Sequence, residues 1–181
     1  MKNFYKKSQS GRSMVEMLGV LAIIGVLSVG GIAGYSKAME KFKLQKAVDQ
    51  ISTIRANVQT LFSNTNDYSA LNTKAYSLGV FPAEMAKKDG VENEVYNAYG
   101  LRTIVALFSS SLKSWTLSYR VPNAEVCTAL ATMAWGNDSS TMIVLDGGEA
   151  SFNEFPIPLE RAAAACSSAG QNPTDVQFIY R

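Results

Sequence analysis

The feature that most constrains this chain is an uninterrupted apolar segment near its N-terminus. Residues Met17 to Tyr35 read MLGVLAIIGVLSVGGIAGY, with no charged side chain and with Ser28 as the only clearly polar one. As an α-helix this segment is about 28 Å long, close to the ~30 Å hydrocarbon thickness of a bilayer. A buried core helix of a soluble protein is the alternative, but the length favours a helix that spans a membrane.

Glycine is frequent within this apolar segment. Because glycine costs about 1 kcal/mol relative to alanine inside a soluble helix, its clustering favours a membrane helix that packs closely against other helices. Gly30 and Gly34 form a small-xxx-small pair, and we expect a helix that packs against other helices and is able to unwind locally near Gly30 and Gly31. The glycines to which we assign packing or flexibility are Gly25, Gly30, Gly31 and Gly34, and Gly19 lies nearer the start of the segment.

The segments on either side of the apolar run are both basic. Residues 1–11 contain three lysines and no acid, which favours an N-terminus that stays in the cytoplasm. Residues 37–46 contain four lysines and one acid, Glu40, so charge asymmetry supports this orientation only weakly. A secretory signal peptide is a rival interpretation, because Gly31-Ile32-Ala33 offers a cleavage site that would release a soluble chain from Gly34.

The composition argues against several function classes. The chain has no histidine, the commonest general base and metal ligand, and its two cysteines are too few for a four-cysteine zinc site. The net charge is only +2, so no nucleic acid partner is expected. Asp146-Gly147-Gly148-Glu149 lacks the regularly spaced oxygens of a calcium loop and is interpreted as a turn. We therefore expect a protein without a cofactor, a metal site or an enzymatic activity.

Glu16 is the unusual residue at the start of the apolar run. A carboxylate that lies deep in a bilayer costs about 2.5 kcal/mol or more and implies a partner, whereas a glutamate at the membrane surface needs none. The surrounding string, Gly11-Arg12-Ser13-Met14-Val15-Glu16, is followed directly by the apolar run and favours the first interpretation.

The whole N-terminal arrangement resembles the cleavage signature of type IV prepilins: a short basic leader, a glycine, four residues, a glutamate and a long apolar run. The resemblance implies cleavage by a prepilin peptidase between Gly11 and Arg12, usually followed by N-methylation. It also implies that the Glu16 carboxylate neutralises the N-terminal amine of a neighbouring subunit and sets the axial register. Arg12 departs from the apolar first residue usual in the family, which leaves methylation open and allows an Arg12–Glu16 ion pair.

The resemblance implies a structural subunit of a type IV pilus-like extracellular filament. Its partners would be copies of itself, the prepilin peptidase and the inner-membrane assembly machinery, with lipid around the helix before assembly. The precursor would lie in the bacterial inner membrane, and the head would be periplasmic or, after assembly, at the cell surface. The chain length and the start at Arg12 favour a type IVb-like pilin. The alternatives are a minor pilin or type II secretion pseudopilin, and, from another class, a membrane-tethered binding or adhesion module that never polymerises.

An amphipathic stripe continues the helix beyond the apolar run. Its apolar positions have helical spacing, and no proline or glycine interrupts Tyr35 to Phe62. The stripe consists of Leu44, Val48, Ile51, Ile54, Val58 and Leu61. We therefore expect one helix from about Arg12 to about Ser63, and the chain divides into a leader, a membrane or assembly helix, an amphipathic continuation and a globular head, at residues 1–11, 12–35, 36–63 and 64–181.

Four segments of the head have the pattern of β-strands. Leu101–Phe108 and Trp115–Val121 predict an antiparallel hairpin with a turn at Ser109-Ser110-Ser111. Thr141–Leu145 and Val176–Tyr180 predict two further strands.

Two helices are predicted between and after these strands. Asn123 is the expected N-cap of a helix that extends to about Trp135 and ends at Gly136-Asn137. Pro158 opens an alanine-rich helix that ends at Gly170. For residues 64–97 we expect a long loop with at most a short helix near 82–88. The predicted fold class is therefore α+β: a long N-terminal helix packed on a small, mostly antiparallel sheet.

Cys127 and Cys166 are the only cysteines. If the head is exported to an oxidising compartment, the two thiols should pair, and two unpaired buried cysteines are the alternative. The resemblance supports the pair, because pilin-like proteins commonly close their C-terminal region with a disulfide. We therefore expect a Cys127–Cys166 bridge that ties the two head helices together.

Overall fold

The computed structural model divides the chain into two units, Met1–Phe42 and Lys43–Arg181, which are described separately. It describes residues 14–65, 67–108, 113–135, 139–145, 150–152, 156–167 and 173–180. Several predicted features lie outside these residues: the cleavage position at Gly11 and Arg12, the turns at Ser109-Ser110-Ser111 and at residues 146–149, and the helix ends at Gly136-Asn137 and Gly170.

The first helix, α1, spans Met14–Leu61 and is 48 residues long. Its bounds agree with the prediction of one long helix, as expected for a segment without proline whose glycines lie in an apolar environment. In the unit Met1–Phe42, every described side chain is exposed except that of Met39, which is half-buried. The apolar surface of this unit is therefore not covered by any described part of the chain.

The second part of α1 supplies one wall of the head's core. Its buried residues are Ala47, Gln50, Ile51, Ile54 and Val58, and Leu44 and Val48 are half-buried beside them. The predicted stripe is wrong at its last position, because Leu61 is 46% exposed. Phe62 takes its place in the core: its ring centroid lies 5.3 Å from that of Tyr68, where the chain turns away from the helix axis.

Within the described residues, six strands form one antiparallel sheet in the order β1-β2-β3-β6-β4-β5. The C-terminal strand β6 is central, between β3 and β4. The predicted hairpin and the two further predicted strands are confirmed, whereas the three-residue strands β1 and β5 were not predicted. The strands are Glu94–Tyr96, Arg102–Leu107, Trp115–Val121, Ser139–Leu145, Ala150–Phe152 and Thr174–Tyr180.

The two predicted head helices are present. In α3, Ala124–Ala131, the N-cap prediction is confirmed, because Asn123 Oδ1 accepts a hydrogen bond from the Val126 amide at 3.0 Å. The predicted extension to Trp135 is wrong, because the chain turns after Ala131 and the buried Trp135 indole donates to the Leu130 carbonyl at 2.8 Å. The helix α4 spans Leu159–Ser167 and starts directly after Pro158, as expected for proline at a helix start.

The connection between α1 and β1 differs from its prediction. No described residue between 82 and 88 is helical; a single turn, α2, lies at Leu71–Lys74 instead. The reason is that the backbone near 87 pairs with the first strand, since Lys87 forms an isolated bridge with Val95. The connection is held to α1 by Asn57, whose Nδ2 donates to the carbonyl groups of Gly79 and Val80 at 3.2 and 3.0 Å.

A buried polar contact fixes α1 against the sheet. Gln50 is 2% exposed, and its Oε1 accepts hydrogen bonds from the Tyr119 hydroxyl at 2.8 Å and from the Ala98 amide at 3.1 Å. Burial raises the pKa of Tyr119 above its ordinary value, so the phenol stays protonated and remains a donor. Because both donors converge on one oxygen, this contact fixes the helix along its axis as well as around it.

We expect Gln50→Leu to lower the free energy of unfolding by about 1–3 kcal/mol for each donor left unsatisfied in the core. Tyr119→Phe should cost less, because Ala98 still donates to the Gln50 oxygen. The measurement is denaturant unfolding of the detergent-solubilised chain, followed by the fluorescence of the buried Trp115 and Trp135. The double variant should cost less than the two single losses added together, and strict additivity would contradict the contact.

Candidate functional site: an exposed apolar helix and a closed head

The first part of α1 presents a continuous apolar surface. Every residue from 14 to 35 is exposed. Leu27, for example, is 68% exposed. By length and composition this helix fits a transmembrane helix. Soluble monomers rarely expose so large an apolar patch, so the surface requires lipid or other helices as its cover.

No contact within the described chain requires glycine at the five glycine positions of this segment. All lie within the α-helix, and a Cβ atom added at Gly19, Gly25, Gly30, Gly31 or Gly34 would meet no heavy atom within 4 Å beyond the helix's own nearby backbone. The helix is continuous through Gly30 and Gly31, so local unwinding there stays a prediction. Because glycine weakens a helix, the reason for these glycines lies outside the single chain.

Glu16 lies in the first turn of α1 and is exposed. A negative charge at this end is favourable, because the helix dipole places partial positive charge at its N-terminus. None of the ion pairs among the described residues includes Glu16. Gly11 and Arg12 lie outside the described residues, so the cleavage site, the Arg12–Glu16 pair and the register role of Glu16 stay predictions.

A disulfide joins Cys127 of α3 to Cys166 of α4, as the resemblance to pilins implied. The two Cα atoms are 5.8 Å apart, the residues are 39 positions apart in sequence, and both are fully buried. The bridge closes a segment that includes β4 and β5. In the chain-entropy model a loop of this length stabilises the folded state by about 4 kcal/mol.

Two ionic contacts that the sequence did not reveal hold the head together. The Asp175 carboxylate is 5% exposed, and its Oδ2 accepts from Arg102 at 3.0 Å and from Arg120 at 3.2 Å, which joins β2, β3 and β6. Arg120 lies directly opposite Asp175 across the β3–β6 pair. Since 55 and 73 residues separate these partners in sequence, only the strand register reveals the cluster.

The second contact closes the loop before β1. The Glu92 carboxylate accepts hydrogen bonds from the Lys87 ammonium and from the Ser77 hydroxyl and amide. These bonds lower the pKa of Glu92 to about 2, and the bond from Lys87 has the largest effect. The Lys87 ammonium also lies 5.3 Å from the ring centroid of Tyr76. Both side chains are half-buried, so the contact organises the loop without a fully buried charge.

Comparison with solved structures defines the class of protein to which this fold belongs. A type IVb pilin from Salmonella typhi matches with a TM-score of 0.54 and 12% identity, over 78% of this chain and 97% of that protein. TcpA, a type IV pilin from Vibrio cholerae El Tor biotype, matches with a TM-score of 0.53 and 14% identity, over 77% and 99%. The fold is therefore that of a type IV pilin, and the predicted α+β fold class is confirmed.

Sequence comparison identifies the family. The model of the Bundlin family matches residues 36–181, and this chain belongs to that family. Two curated relatives are each described as the major structural subunit of bundle-forming pilus, from Escherichia coli O127:H6 (strain E2348/69 / EPEC) and Escherichia coli O111:H-. They are 23% and 22% identical to this chain over 160 residues, which cover 87% of this chain and 82% of each relative.

We expect the Cys127→Ala/Cys166→Ala double variant to lose about 4 kcal/mol of unfolding free energy, because its unfolded chain is no longer constrained by the bridge. Denaturant unfolding of the oxidised chain and of the double variant measures the difference. A thiol reductant should destabilise the unmodified chain by a similar amount and should leave the double variant unchanged. Unfolding of both proteins at the same denaturant concentration would contradict the prediction.

Proposed function

We propose that this chain is a structural subunit of a type IV pilus-like extracellular filament. It is made as a precursor in the bacterial inner membrane, cleaved by a prepilin peptidase after Gly11, and assembled through its N-terminal helix. The observation that carries the proposal is the uncovered apolar surface of α1 on a chain whose head belongs to the Bundlin family. The curated relatives, both named as major structural pilus subunits, support the same function.

Assembly through this helix replaces its contacts with lipid by contacts with other helices. In the bilayer, lipid chains surround the apolar side chains; in a filament, the helices of neighbouring copies replace the lipid. The hydrophobic effect changes little in this exchange, so packing and polar contacts decide it. Gly25, Gly30 and Gly34 allow the close helix approach that makes such packing favourable.

Glu16 supplies the polar contact of this proposal. Once the leader is removed, the new N-terminal amine at Arg12 carries a positive charge. In a bundle of apolar helices, that amine and the Glu16 carboxylate are each costly alone and are stabilised when paired between neighbouring copies. Such a pair forms only at one axial offset between subunits, so it specifies the register of the filament.

We propose a structural rather than an enzymatic role for the head. The Bundlin relatives are structural subunits, and the chain contains no histidine to serve as a general base. The disulfide and the buried contact at Gln50 keep the head folded outside the cytoplasm. A major subunit is favoured over a minor pilin or pseudopilin, because both curated relatives are major subunits. The prepilin-like start at Gly11–Glu16 favours polymerisation over a tethered module.

The first prediction of this proposal concerns the N-terminus of the mature protein. Intact mass and N-terminal sequencing of the protein from its native cell should show a chain that begins at Arg12, with or without one methyl group. A chain that begins near Gly34 would identify a secretory signal peptide. A chain that retains Met1 would identify an uncleaved membrane tether, and either result would overturn the processing step.

The second prediction concerns assembly. We expect Glu16→Ala and Glu16→Gln subunits to insert into the membrane but to form almost no filaments, because the amine of the next copy loses its counter-charge. Filament yield after shearing and carbonate extraction of membranes measure the two steps separately. Glu84→Ala, which removes an exposed carboxylate from the head, is the matched control and should assemble normally. Normal yield from the Glu16 variants would refute the pairing.

A further inference from the structure

The last turns of the unit Met1–Phe42 present four exposed side chains of two kinds. Tyr35 and Phe42 are 68% and 61% exposed and lie seven residues apart, on one face of α1. Lys37 and Lys41 are also exposed and lie four residues apart on another face. Among the described residues, no ion pair involves either lysine. Large aromatic rings and ammonium groups without an ion-pair partner are therefore exposed close together, at the end of the apolar run and just after it.

The axial positions of Tyr35, Lys37 and Lys41 match the headgroup layer of a bilayer. If the apolar run spans the hydrocarbon, Tyr35 lies at its far boundary, and Lys37 and Lys41 lie about 3 and 9 Å beyond it. The headgroup layer is roughly 5–8 Å thick on each side. In a helix the Cα–Cβ bonds tilt towards the N-terminus, which here is the direction of the bilayer. Long lysine side chains therefore bring their ammonium groups back to the level of the phosphates.

The chemistry of the segment also suits this layer. Tyrosine and other aromatic residues favour the membrane interface, where a ring has an apolar side and a wet side. Lysines are less common on the non-cytoplasmic flank of membrane helices, so two of them here point to a specific favourable contact. Anionic phospholipids supply that contact, because their phosphates attract nearby lysines. Glu40, the one acid of this segment, repels the same phosphates.

From these positions we propose that residues 35–42 form a binding site for the headgroups of anionic phospholipids in the far leaflet. Lys37 and Lys41 contact the phosphates, Tyr35 lies at the boundary of the acyl chains, and Phe42, about 10 Å further along the helix, lies at the outer edge of the headgroup layer. The site rests on the membrane insertion in the proposed function and adds a lipid preference to it. It holds the unassembled subunit at a defined depth, with the apolar run centred in the hydrocarbon.

The test compares lipid preference in reconstituted bilayers. The full chain is placed in phosphatidylcholine bilayers, and the relative binding of spin-labelled phosphatidylglycerol and phosphatidylcholine is measured by electron paramagnetic resonance. A lysine beside an anionic surface contributes about fivefold to binding, so the unmodified chain should prefer phosphatidylglycerol at least about fivefold. Lys37→Gln/Lys41→Gln should lower the preference at least about fivefold relative to the unmodified chain, and the other lysines that flank the apolar run account for the preference that remains. Lys37→Arg/Lys41→Arg should retain the full preference. Glu40→Gln should increase it.

The matched control is Lys74→Gln/Lys113→Gln, which removes the same charge from two exposed lysines of the head and should leave the preference unchanged. Equal binding of the two lipids by an inserted, unmodified chain would overturn the site and leave the proposed function intact. Lysine variants that keep the preference but lose filament yield would show that these lysines pair with carboxylates of neighbouring copies instead. Failure of the unmodified chain to resist carbonate extraction from any bilayer would overturn membrane insertion itself.

Discussion

The apolar surface of α1 between Met14 and Tyr35 must be covered in every state of this protein. The described residues leave its most apolar window entirely exposed. Water is an unfavourable solvent for so many adjacent apolar side chains, so this surface requires lipid or other helices around it. The same helix continues into the head, where Ala47, Ile51 and Ile54 are fully buried. One continuous helix therefore carries both the surface for assembly and part of the core of the head.

Because the second part of α1 belongs to the core of the head, the head must hold this helix in one position along its axis. An apolar stripe alone fixes the rotation of a helix better than its position along the axis, because hydrophobic contact is non-directional. The polar contacts of α1 supply the missing direction. Gln50 accepts bonds from Tyr119 and Ala98, and Arg55 donates to the Trp135 carbonyl with its guanidinium 5.8 Å from the Tyr180 ring. Each contact requires one axial position of the helix, so together they fix residues 43–61 of α1 against the rest of the head.

The sequence predicted those parts of the fold that local patterns determine. The long helix, the hairpin, the Asn123 cap and the final strand each have a strong period or a specific start signal over several residues. The three-residue strands β1 and β5 have no such period, since their pairing partners define them. The end of α3 depends on the burial of Trp135. Residues 82–88 form no helix because the backbone there pairs with β1, and the single turn α2 at Leu71–Lys74 was not predicted. The Asp175 cluster joins three strands, so its ion pairs can be recognised only when the register of those strands is known.

The two halves of the functional argument rest on different residues. The prepilin-like signature lies in residues 1–35, and the Bundlin match begins at residue 36, so neither one contributes to the other. The glycines of α1 favour the proposed filament subunit over a simple membrane tether. Each weakens an isolated helix by about 1 kcal/mol relative to alanine, and none is required by a contact within the described chain. A helix that only anchored a head in lipid would be more stable with alanine or leucine at these positions. Close approach by another helix is the contact that makes glycine favourable there, and copies of the same chain are the partners that the proposed filament supplies.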